Sequence, residues 1–400
     1  MTVACLACGT VQDTPLVPTA SESSCYVCTS QIQRTAWRSR TWALGVAWAG
    51  LILMAAANLL PLADVNLLGV IRRSYLASGP ATIWNEGIPS ISLVLGLVVV
   101  VLPLVRFVLL ILALQMAGGA GRPRWLGPVF RWALELETWA MPDVAVLGFW
   151  VALSRLAALF PLTLGPGAYA LMGAGLASLL GRALLDKREV WQDIAPDRPD
   201  PGGETVSCGT CDLLLPASAA GEPCPRCGAR LERRKRDALA RTAALVLAGV
   251  VLYPLANLFP TFTIVQFGVG TSYTILGGAI EIAKAHLVGL AILVVVASFV
   301  IPILKLLSLG WFLISIRRAS PRRLRTKTRL YRIVDEIGRW SMVDPLTICF
   351  LLPLLHYGSL TSSRPEVGAA FFTGVVVVTM LATRAFDPRL MWDAAQGRAV

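Results

Sequence analysis

Eight of the nine cysteines occur in four Cys-x-x-Cys pairs, a spacing that aims two thiolates at one metal ion. The pairs form two groups, with sixteen residues between the pairs of the first group and twelve between those of the second. Two such pairs can surround a zinc ion with a tetrahedron of thiolates. The candidate metal ligands are Cys5, Cys8, Cys25 and Cys28 in the first group and Cys208, Cys211, Cys224 and Cys227 in the second.

A second candidate site lies in an apolar run that extends from about Leu287 to Arg317 and carries one interior cation, Lys305. Lys305 lies twelve residues before Arg317, about 18 Å along a helix, which is further than a lysine side chain can extend to the membrane surface. An ammonium at that depth costs roughly 2.5 to 3.5 kcal/mol, so it is expected to face protein or water and to have a partner. Pro302 can kink this helix, and Ser298 falls on the same face as Lys305.

The composition is that of a polytopic membrane protein. Hydrophobic residues make up 56% of the 400 residues and charged residues 15%, and the mean hydropathy is +0.66. The first forty residues are polar and contain cysteines, so no cleavable signal peptide is expected. Eight apolar segments long enough to cross a bilayer are predicted at 42–62, 88–113, 132–160, 162–182, 241–262, 286–316, 334–357 and 367–384.

The basic residues orient these segments. If the N-terminus is inside, 29 of the 36 Lys and Arg residues fall in cytoplasmic segments and four fall outside. This positive-inside pattern predicts that both termini are cytoplasmic. The net charge of +12 then reflects topology and contact with anionic lipid, so nucleic-acid binding is not expected. The sequence contains no glycine-rich phosphate loop, so nucleotide binding is not expected either.

Disulfides, thiol redox chemistry and iron are the alternatives to structural zinc at the two cysteine groups. The predicted orientation places both groups in the reducing cytosol, which disfavours disulfides. A thioredoxin-like pair needs a βαβ context that these short polar segments cannot supply. Iron in a rubredoxin-like site uses the same four ligands, so the spacing leaves iron open. Two zinc ribbons are therefore predicted, with iron as the alternative metal.

The two halves of the chain resemble each other. Trp-Ala-Met-Pro-Asp at 139–143 corresponds to Trp-Ser-Met-Val-Asp at 340–344, and Pro-Leu-Val-Arg at 103–106 to Pro-Ile-Leu-Lys at 302–305, with offsets of 199 to 201 residues. An even number of spans in each half keeps both halves in the same orientation, so the repeat is parallel. The predicted fold is an all-α polytopic membrane protein that duplicates a ribbon and a four-helix module. The predicted domains are a zinc ribbon (1–40), the first module (41–191), a linker (192–204), a second zinc ribbon (205–235), the second module (236–392) and a C-terminal tail (393–400).

The repeat predicts a partner for Lys305. If the third span of the second half begins near Arg332, Asp344 lies twelve residues further, level with Lys305 on the antiparallel neighbour, and the two form an ion pair. Arg106 and Asp143 would repeat this pair in the first module. Charges inside a membrane are functional by default, although buried ion pairs also occur as purely structural contacts. The other polar residues of the candidate transport and proton-relay site are Ser298, Ser341 and Thr379.

Several motifs together resemble the paraquat-inducible protein A family. They are the paired ribbons that each precede four spans, Pro-x-x-Lys in the second span, Trp-Ser-Met-x-Asp at the start of the third, and Phe-Asp-x-Arg-x-x-Trp after the fourth. The resemblance covers nearly the whole chain. It implies a bacterial inner-membrane protein that works with a periplasmic mammalian-cell-entry (MCE) domain partner, which forms a tunnel for lipids between the two membranes. The first half departs from the motifs at Arg106 and Ala140, so equal roles for the two modules are not implied.

The resulting hypothesis is that the chain extracts phospholipid from the inner membrane and passes it to the MCE tunnel. Without a nucleotide site, the proton gradient is the available drive, because protonation of Asp344 would cancel its pair with Lys305 and change the helix packing. One charge that moves through the membrane field gains about 2.3 kcal/mol per 100 mV. Two alternatives are a non-transporting scaffold that anchors the MCE partner and a metal-centred redox protein. No enzymatic activity is predicted.

Overall fold

A computed structural model describes most of the chain. The described residues are 2–13, 22–34, 39–67, 70–119, 123–157, 162–196, 202–266, 269–284, 286–355 and 361–397. Residues 197–201 of the predicted linker and 398–400 of the predicted tail lie outside these ranges.

Eight helices in the described residues are long and apolar enough to cross a membrane, which confirms the eight predicted spans and the multi-pass membrane fold. Six of them begin within a few residues of the predicted positions. The third and seventh begin earlier, because a more polar helix precedes the apolar part of each. The spans are Arg40–Leu59, Pro89–Met116, Leu126–Ala157, Pro166–Leu184, Ala238–Leu258, Val288–Arg317, Leu324–Leu354 and Val367–Ala385.

The helices of the described residues number sixteen, and several spans consist of two helices joined end to end. In chain order they are α1 (Ser39–Leu59), α2 (Ser78–Asn85), α3 (Pro89–Gly96), α4 (Leu102–Met116), α5 (Leu126–Glu135), α6 (Pro142–Ala157), α7 (Pro166–Leu184), α8 (Lys187–Ile194), α9 (Ala238–Leu258), α10 (Ile275–Lys284), α11 (Val288–Val295), α12 (Ile301–Arg317), α13 (Leu324–Ile337), α14 (Val343–Leu354), α15 (Val367–Ala385) and α16 (Arg389–Ala395).

Short strands form the ribbons and the connections between spans. The strands within the described residues are β1 (Thr2–Ala4), β2 (Val11–Asp13), β3 (Glu22–Ser24), β4 (Gln31–Arg34), β5 (Ala63–Leu67), β6 (Val70–Ser74), β7 (Leu162–Leu164), β8 (Thr205–Ser207), β9 (Leu214–Pro216), β10 (Phe262–Gln266), β11 (Val269–Tyr273) and β12 (Thr361–Pro365).

The second span of each module is interrupted by a π-helical segment, and the third by a 3-10 segment. The π segments are Leu97–Val101 and Val296–Val300, and the 3-10 segments are Leu136–Thr138 and Gly338–Met342. In both modules a proline is the second residue of the helix after the π segment. Proline has no backbone N–H, so it interrupts the regular hydrogen-bond ladder at that point. The repeated order of elements agrees with the predicted tandem duplication.

Two three-stranded antiparallel sheets lie at the ends of the spans opposite the ribbons. In one, β5 pairs with β6 and β7, and in the other β10 pairs with β11 and β12. In each sheet a hairpin that follows the first span is extended by a strand that precedes the fourth. The sheets therefore tie these ends of the spans together within each module.

The modules contact each other through their third spans, α6 and α14. A Cβ atom on Gly148 would lie 2.8 Å from the Cβ of Leu346 and 3.2 Å from the carbonyl oxygen of Val343, so the glycine permits the close approach. The rings of Phe149 and Phe350 pack edge to face with centroids 5.5 Å apart. Residues from the first module therefore reach the interior of the second.

The ribbons are exchanged between the modules. The cysteines of the first ribbon are buried among apolar residues of the second module that include Phe312 and Leu390, and Arg325 donates a hydrogen bond of 2.7 Å to the carbonyl oxygen of Val27. The second ribbon lies against α5 of the first module, where a Cβ on Gly228 would touch Pro128 at 3.4 Å. Each ribbon thus lies beneath the module that follows the other ribbon.

Candidate metal centres and buried charged site

Each ribbon brings its four cysteines together at the ends of short hairpins. In the first turn, Gly9 has φ +78° and donates a hydrogen bond of 2.7 Å to the Cys5 carbonyl oxygen. Gly228 has φ +69° and donates to the Cys224 carbonyl oxygen at 2.8 Å in the second ribbon. Glycine adopts positive φ without steric cost, which explains its place after these cysteines.

The thiol positions fit a tetrahedral metal ion. In the first ribbon the Sγ atoms of Cys5 and Cys28 are 3.5 Å apart and those of Cys8 and Cys25 are 3.6 Å apart. The two corresponding distances in the second ribbon are 3.5 and 3.6 Å. Four sulfurs at 2.3 Å from zinc would be about 3.8 Å apart, whereas a disulfide would require ~2.05 Å. The eight predicted ligands therefore form two buried clusters that could hold a metal ion, and the sulfur set suits zinc or iron.

The crowding of thiols also changes their acidity. Hydrogen bonds from Cys5 and Cys8 hold the pKa of Cys28 well below that of a free thiol. The three other cysteines of the second ribbon, Cys208 foremost, lower the pKa of Cys224 in the same way. Metals bind the thiolate, so both clusters contain a thiol that is predisposed to bind.

Lys305 is buried in the second module and is bound by neutral groups. Its Nζ donates to the carbonyl oxygen of Gly338 at 2.7 Å and to Oγ1 of Thr379 at 3.4 Å. The side chain is 1% exposed. A Cβ on Gly338 would lie 3.1 Å from Cε of Lys305, so glycine at this position leaves room for the lysine. Gly338 is the first residue of the 3-10 segment.

Asp344 is the second residue of α14 and contacts the π segment of the second span. Its Oδ2 forms a short hydrogen bond with Ser298, and its Oδ1 is buried without a hydrogen-bond partner among the described residues. Ser298 also donates to the carbonyl oxygen of Val294 at 2.7 Å. A hydroxyl has one proton and cannot donate twice, so both hydrogen bonds form together only when Asp344 is protonated and donates to Ser298.

The predicted ion pair between Lys305 and Asp344 is wrong. Within the described part of the chain, neither side chain has an oppositely charged atom within 4.0 Å. The prediction treated the third span as one continuous helix. The 3-10 segment before Asp344 has fewer residues per turn than an α-helix, so it turns the carboxyl towards Ser298 and leaves the Gly338 carbonyl opposite the lysine.

Asp143, the equivalent acid of the first module, is bound by two arginines. Nη2 of Arg182 lies 3.2 Å from both carboxylate oxygens, and Nη1 of Arg339 from the second module lies 3.9 Å from Oδ2. The predicted partner, Arg106, is not among the cations within 4.0 Å of this carboxylate in the described residues. The Arg106–Asp143 pair is therefore also wrong, because the C-terminal end of α7 supplies a closer cation.

Arg106 instead contacts residues that the sequence analysis missed. Its Nη1 donates to Oγ of Ser178 at 3.4 Å, and its Nη2 lies 3.8 Å from Oε2 of Glu137. Glu137 also lies 3.2 Å from Nζ of Lys187. The repeat could have indicated the roles of Glu137 and Arg182. The corresponding positions of the second half are the uncharged Gly338 and Thr383, so these two charges are specific to the first module.

Thr379 thus contacts Lys305 directly, and Ser298 contacts Asp344. Ser341 is buried beside them, but its hydroxyl has no hydrogen-bond partner among the described residues. The structure therefore divides the predicted site into two parts of the second module, one around Lys305 and one around Asp344. The first-module residues Arg106 and Asp143 belong to a separate network of ion pairs.

Comparison with known proteins identifies the family. The family model for paraquat-inducible protein A matches residues 39–195 and 239–396. Among curated relatives, intermembrane transport protein PqiA of Escherichia coli K12 is 29% identical over 98% of this chain and 95% of its own length. Lipophilic envelope-spanning tunnel protein A of the same strain is 28% identical over 98% of this chain and 91% of its own length.

A probable intermembrane transport protein of Haemophilus influenzae is 24% identical over 90% of this chain and 87% of its own length. No solved structure matches the chain significantly. The two segments matched by the family model coincide with the two four-span modules of the structure. The chain therefore belongs to the paraquat-inducible protein A family.

Proposed function

We propose that this protein is the inner-membrane subunit of an intermembrane lipid transport system, which passes phospholipid to or from a periplasmic MCE-domain tunnel protein. Relatives similar over nearly their full lengths are named as an intermembrane transport protein and an envelope-spanning tunnel protein, which supports this role. In this proposal the ribbons hold zinc and, with both termini, face the cytoplasm, because the basic residues are concentrated at that end of the spans.

The proton gradient drives transport in this proposal. The contacts of Ser298 support it, because they depend on whether Asp344 is protonated. With a proton on Asp344, Ser298 can accept from the acid and donate to the Val294 carbonyl. Without the proton on Asp344, its carboxylate and the carbonyl oxygen of Val294 compete for the single hydroxyl proton of Ser298. A buried carboxylate without a close cation is costly, so loss of the proton favours a different packing of the π segment.

Lys305 links this change to the rest of the second module. Ser298 and Lys305 lie seven residues apart on one span, which places both on the same face two helical turns apart. A shift of the π segment therefore moves the lysine relative to Gly338 and Thr379. The result is a proton-controlled two-state element that can alternate the exposure of a lipid pathway.

The test is lipid transfer from reconstituted vesicles that contain the protein and its MCE partner. We expect transfer of a fluorescent phospholipid to depend on a proton gradient, and Asp344→Asn to remove that dependence. Asp143→Asn is the matched control, since the equivalent carboxylate is held by Arg182, and it should retain the dependence. Equal transfer by Asp344→Asn and wild type, with and without a gradient, would show that the proton drive is wrong.

The same preparation separates the two other functions. A non-transporting scaffold predicts that Lys305→Ala retains full function while changes to the ribbon cysteines abolish it. A redox protein predicts iron in metal analysis and a visible absorption band. Zinc in both ribbons and loss of transfer in Lys305→Ala would exclude these functions.

A further inference from the structure

A small cavity lies between the third spans of the two modules and the sheet of the second module. Its volume is about 20 Å³, which is room for one water molecule and far too small for a lipid. Of the eleven described residues that line it, the charged ones are Arg155 of α6 and Asp344 of α14. The cavity therefore joins a cation of the first module to the acid of the second.

Both charged side chains have a buried polar atom without a partner. These atoms are Nε of Arg155 and Oδ1 of Asp344, which have no hydrogen-bond partner in the described part of the chain. Both side chains line the same cavity, and no ion pair closer than 4.0 Å joins them in those residues. One water could accept from the arginine and donate to the carboxyl, which would satisfy both atoms.

Hydroxyl groups continue from this cavity towards the sheet end of the protein. Thr347 lies near Asp344 on α14, and Thr261 and Thr274 flank the β10–β11 hairpin; all three line the cavity. The hydroxyl of Thr347 donates to a carbonyl oxygen at 2.8 Å and that of Thr261 donates at 3.0 Å, so both oxygens can still accept from water. Thr274 accepts from the Gly277 amide and keeps its own proton to donate.

We propose that this cavity binds one ordered water, through which Asp344 exchanges its proton with the sheet end of the membrane, and that Arg155 positions that water. The bridging water gives a proton to Oδ1 of Asp344 as it receives one from a water on the sheet side, so the bridging water is regenerated. Rotation of the carboxyl group then turns the protonated oxygen towards Ser298, where it donates. This inference rests on the proposed proton drive and adds the side from which the proton arrives.

Arg155 also couples the two modules in this arrangement. It belongs to α6, whereas the carboxyl that shares its cavity belongs to α14. A sliding movement at the interface between these helices would separate the arginine from the water and break the proton path. Arg155 is thus a positioning residue that makes access to Asp344 depend on how the modules are packed.

The first measurement uses dicyclohexylcarbodiimide, which reacts with protonated carboxyl groups in apolar surroundings, on the purified full chain at neutral pH. Arg155→Gln removes a positive charge from the cavity that holds the carboxyl, so we expect labelling of Asp344, located by peptide mass spectrometry, to become about twofold faster. Arg155→Lys keeps the charge and should label at the wild-type rate. Lys284→Gln removes an exposed cation from the neighbouring helix α10 and should also label at the wild-type rate.

The second measurement detects the water itself, because X-ray radiolysis of a bound water oxidises the side chains around it. We expect Phe372, which lines the cavity and is 0% exposed, to be oxidised several-fold more than Phe130, which is equally buried but does not line this cavity. Thr347→Ile, which fills the cavity, should reduce oxidation of Phe372 to the level of Phe130.

Wild-type labelling in Arg155→Gln, or equal oxidation of Phe372 and Phe130, would overturn the inference. Neither measurement requires lipid, the MCE partner or a gradient. If both give the expected results while lipid transfer ignores the gradient, the water site stands and the proton drive fails. If transfer depends on the gradient and on Asp344 while both measurements fail, the drive stands and the proton takes another path.

Discussion

The two modules have the same order of elements but stabilise their buried charges differently. In the first module, Asp143 lies 3.2 Å from Arg182, and the buried arginine lies 3.8 Å from a carboxylate. In the second, Lys305 is bound by a carbonyl and a hydroxyl, and Asp344 by a serine. The helical framework was thus duplicated, but among these four charged side chains only Arg106 and Asp143 have a counter-ion within 4.0 Å in the described structure.

Single positions of the repeat account for this difference. At an offset of 201 residues, Arg182 corresponds to Thr383 and Glu137 to Gly338, so the second module lacks both counter-ions. The hydroxyl contact to the cation is kept in both modules, by Ser178 in one and by Thr379 in the other. The comparison shows that ion pairs hold Arg106 and Asp143 in the first module, whereas neutral groups hold Lys305 and Asp344 in the second.

A second difference lies in the π segments. At an offset of 199 residues, Ser298 corresponds to Val99, which is buried and apolar. Both segments have the same π geometry, so the geometry comes from the shared backbone pattern and not from the serine. The serine adds the hydrogen bond to the acid.

The largest expected effect comes from metal loss in one ribbon. Structural zinc contributes about 10 to 16 kcal/mol of apparent binding free energy, so Cys28→Ser should unfold the first ribbon and leave one metal ion per chain. Because the ribbons are exchanged, hydrogen exchange should accelerate in α16 of the second module. Cys227→Ser should instead accelerate exchange in α5 of the first module. Faster exchange in the module that directly follows the altered ribbon would contradict the exchanged arrangement.

A smaller effect is expected when the first module is made to resemble the second. Arg182→Thr leaves Asp143 with only the more distant Arg339, and removal of one partner from a buried pair costs roughly 3 kcal/mol. The free energy of unfolding, measured by denaturation in detergent, should fall by about that amount. Arg384→Thr removes an exposed arginine of the corresponding helix end and serves as the control. Equal stability of the two variants would show that the ion pair does not hold the module.

The reverse exchange tests the serine. Ser298→Val gives the second module the residue type of the first and leaves Asp344 without its hydrogen bond, a loss of about 1 kcal/mol. Since 1.4 kcal/mol corresponds to a tenfold change in rate, transfer of phospholipid should fall about fivefold. Val99→Ser in the first module should leave transfer unchanged. Equal transfer by both variants would remove the distinction between the π segments.

The smallest expected effect concerns the acids that follow the fourth spans. Burial alone would raise the pKa of Asp387, but hydrogen bonds and the charge of Arg389 lower it overall. A lowered pKa means that the folded state binds the proton less well, so this stabilisation is present above about pH 4 and is lost as the pH falls further. Arg389→Leu should weaken the loss of stability below pH 4, measured by thermal unfolding. An unchanged acid profile in Arg389→Leu would contradict this role.

The spans and the metal ligands could be predicted because they depend on local spacing. A bilayer sets the length of an apolar run, and a tetrahedral metal sets the spacing of two cysteine pairs. The ion pair between Lys305 and Asp344 could not be predicted, because it depends on the rotation of one helix relative to another. A 3-10 segment on one span and a π segment on the other changed that rotation, and neither leaves a clear pattern in the sequence.

The sheets and the counter-ions were missed for different reasons. Strands of three to five residues between spans look like loops, since the polar alternation is too short to detect. Arg182 was counted as a topological charge at the end of a span, although its side chain turns inward to Asp143. Arg155 likewise lies near the C-terminal end of its span and reaches the cavity between the two modules.

The exchanged ribbons affect the order in which parts of the protein can pack together during translation. The N-terminal ribbon is translated first, whereas α16, against which it packs, is translated about 350 residues later. At ordinary rates of translation, roughly 20 to 70 s pass between the synthesis of the ribbon and the synthesis of α16. A nascent chain that stalls before its second module therefore lacks the residues against which its first ribbon packs.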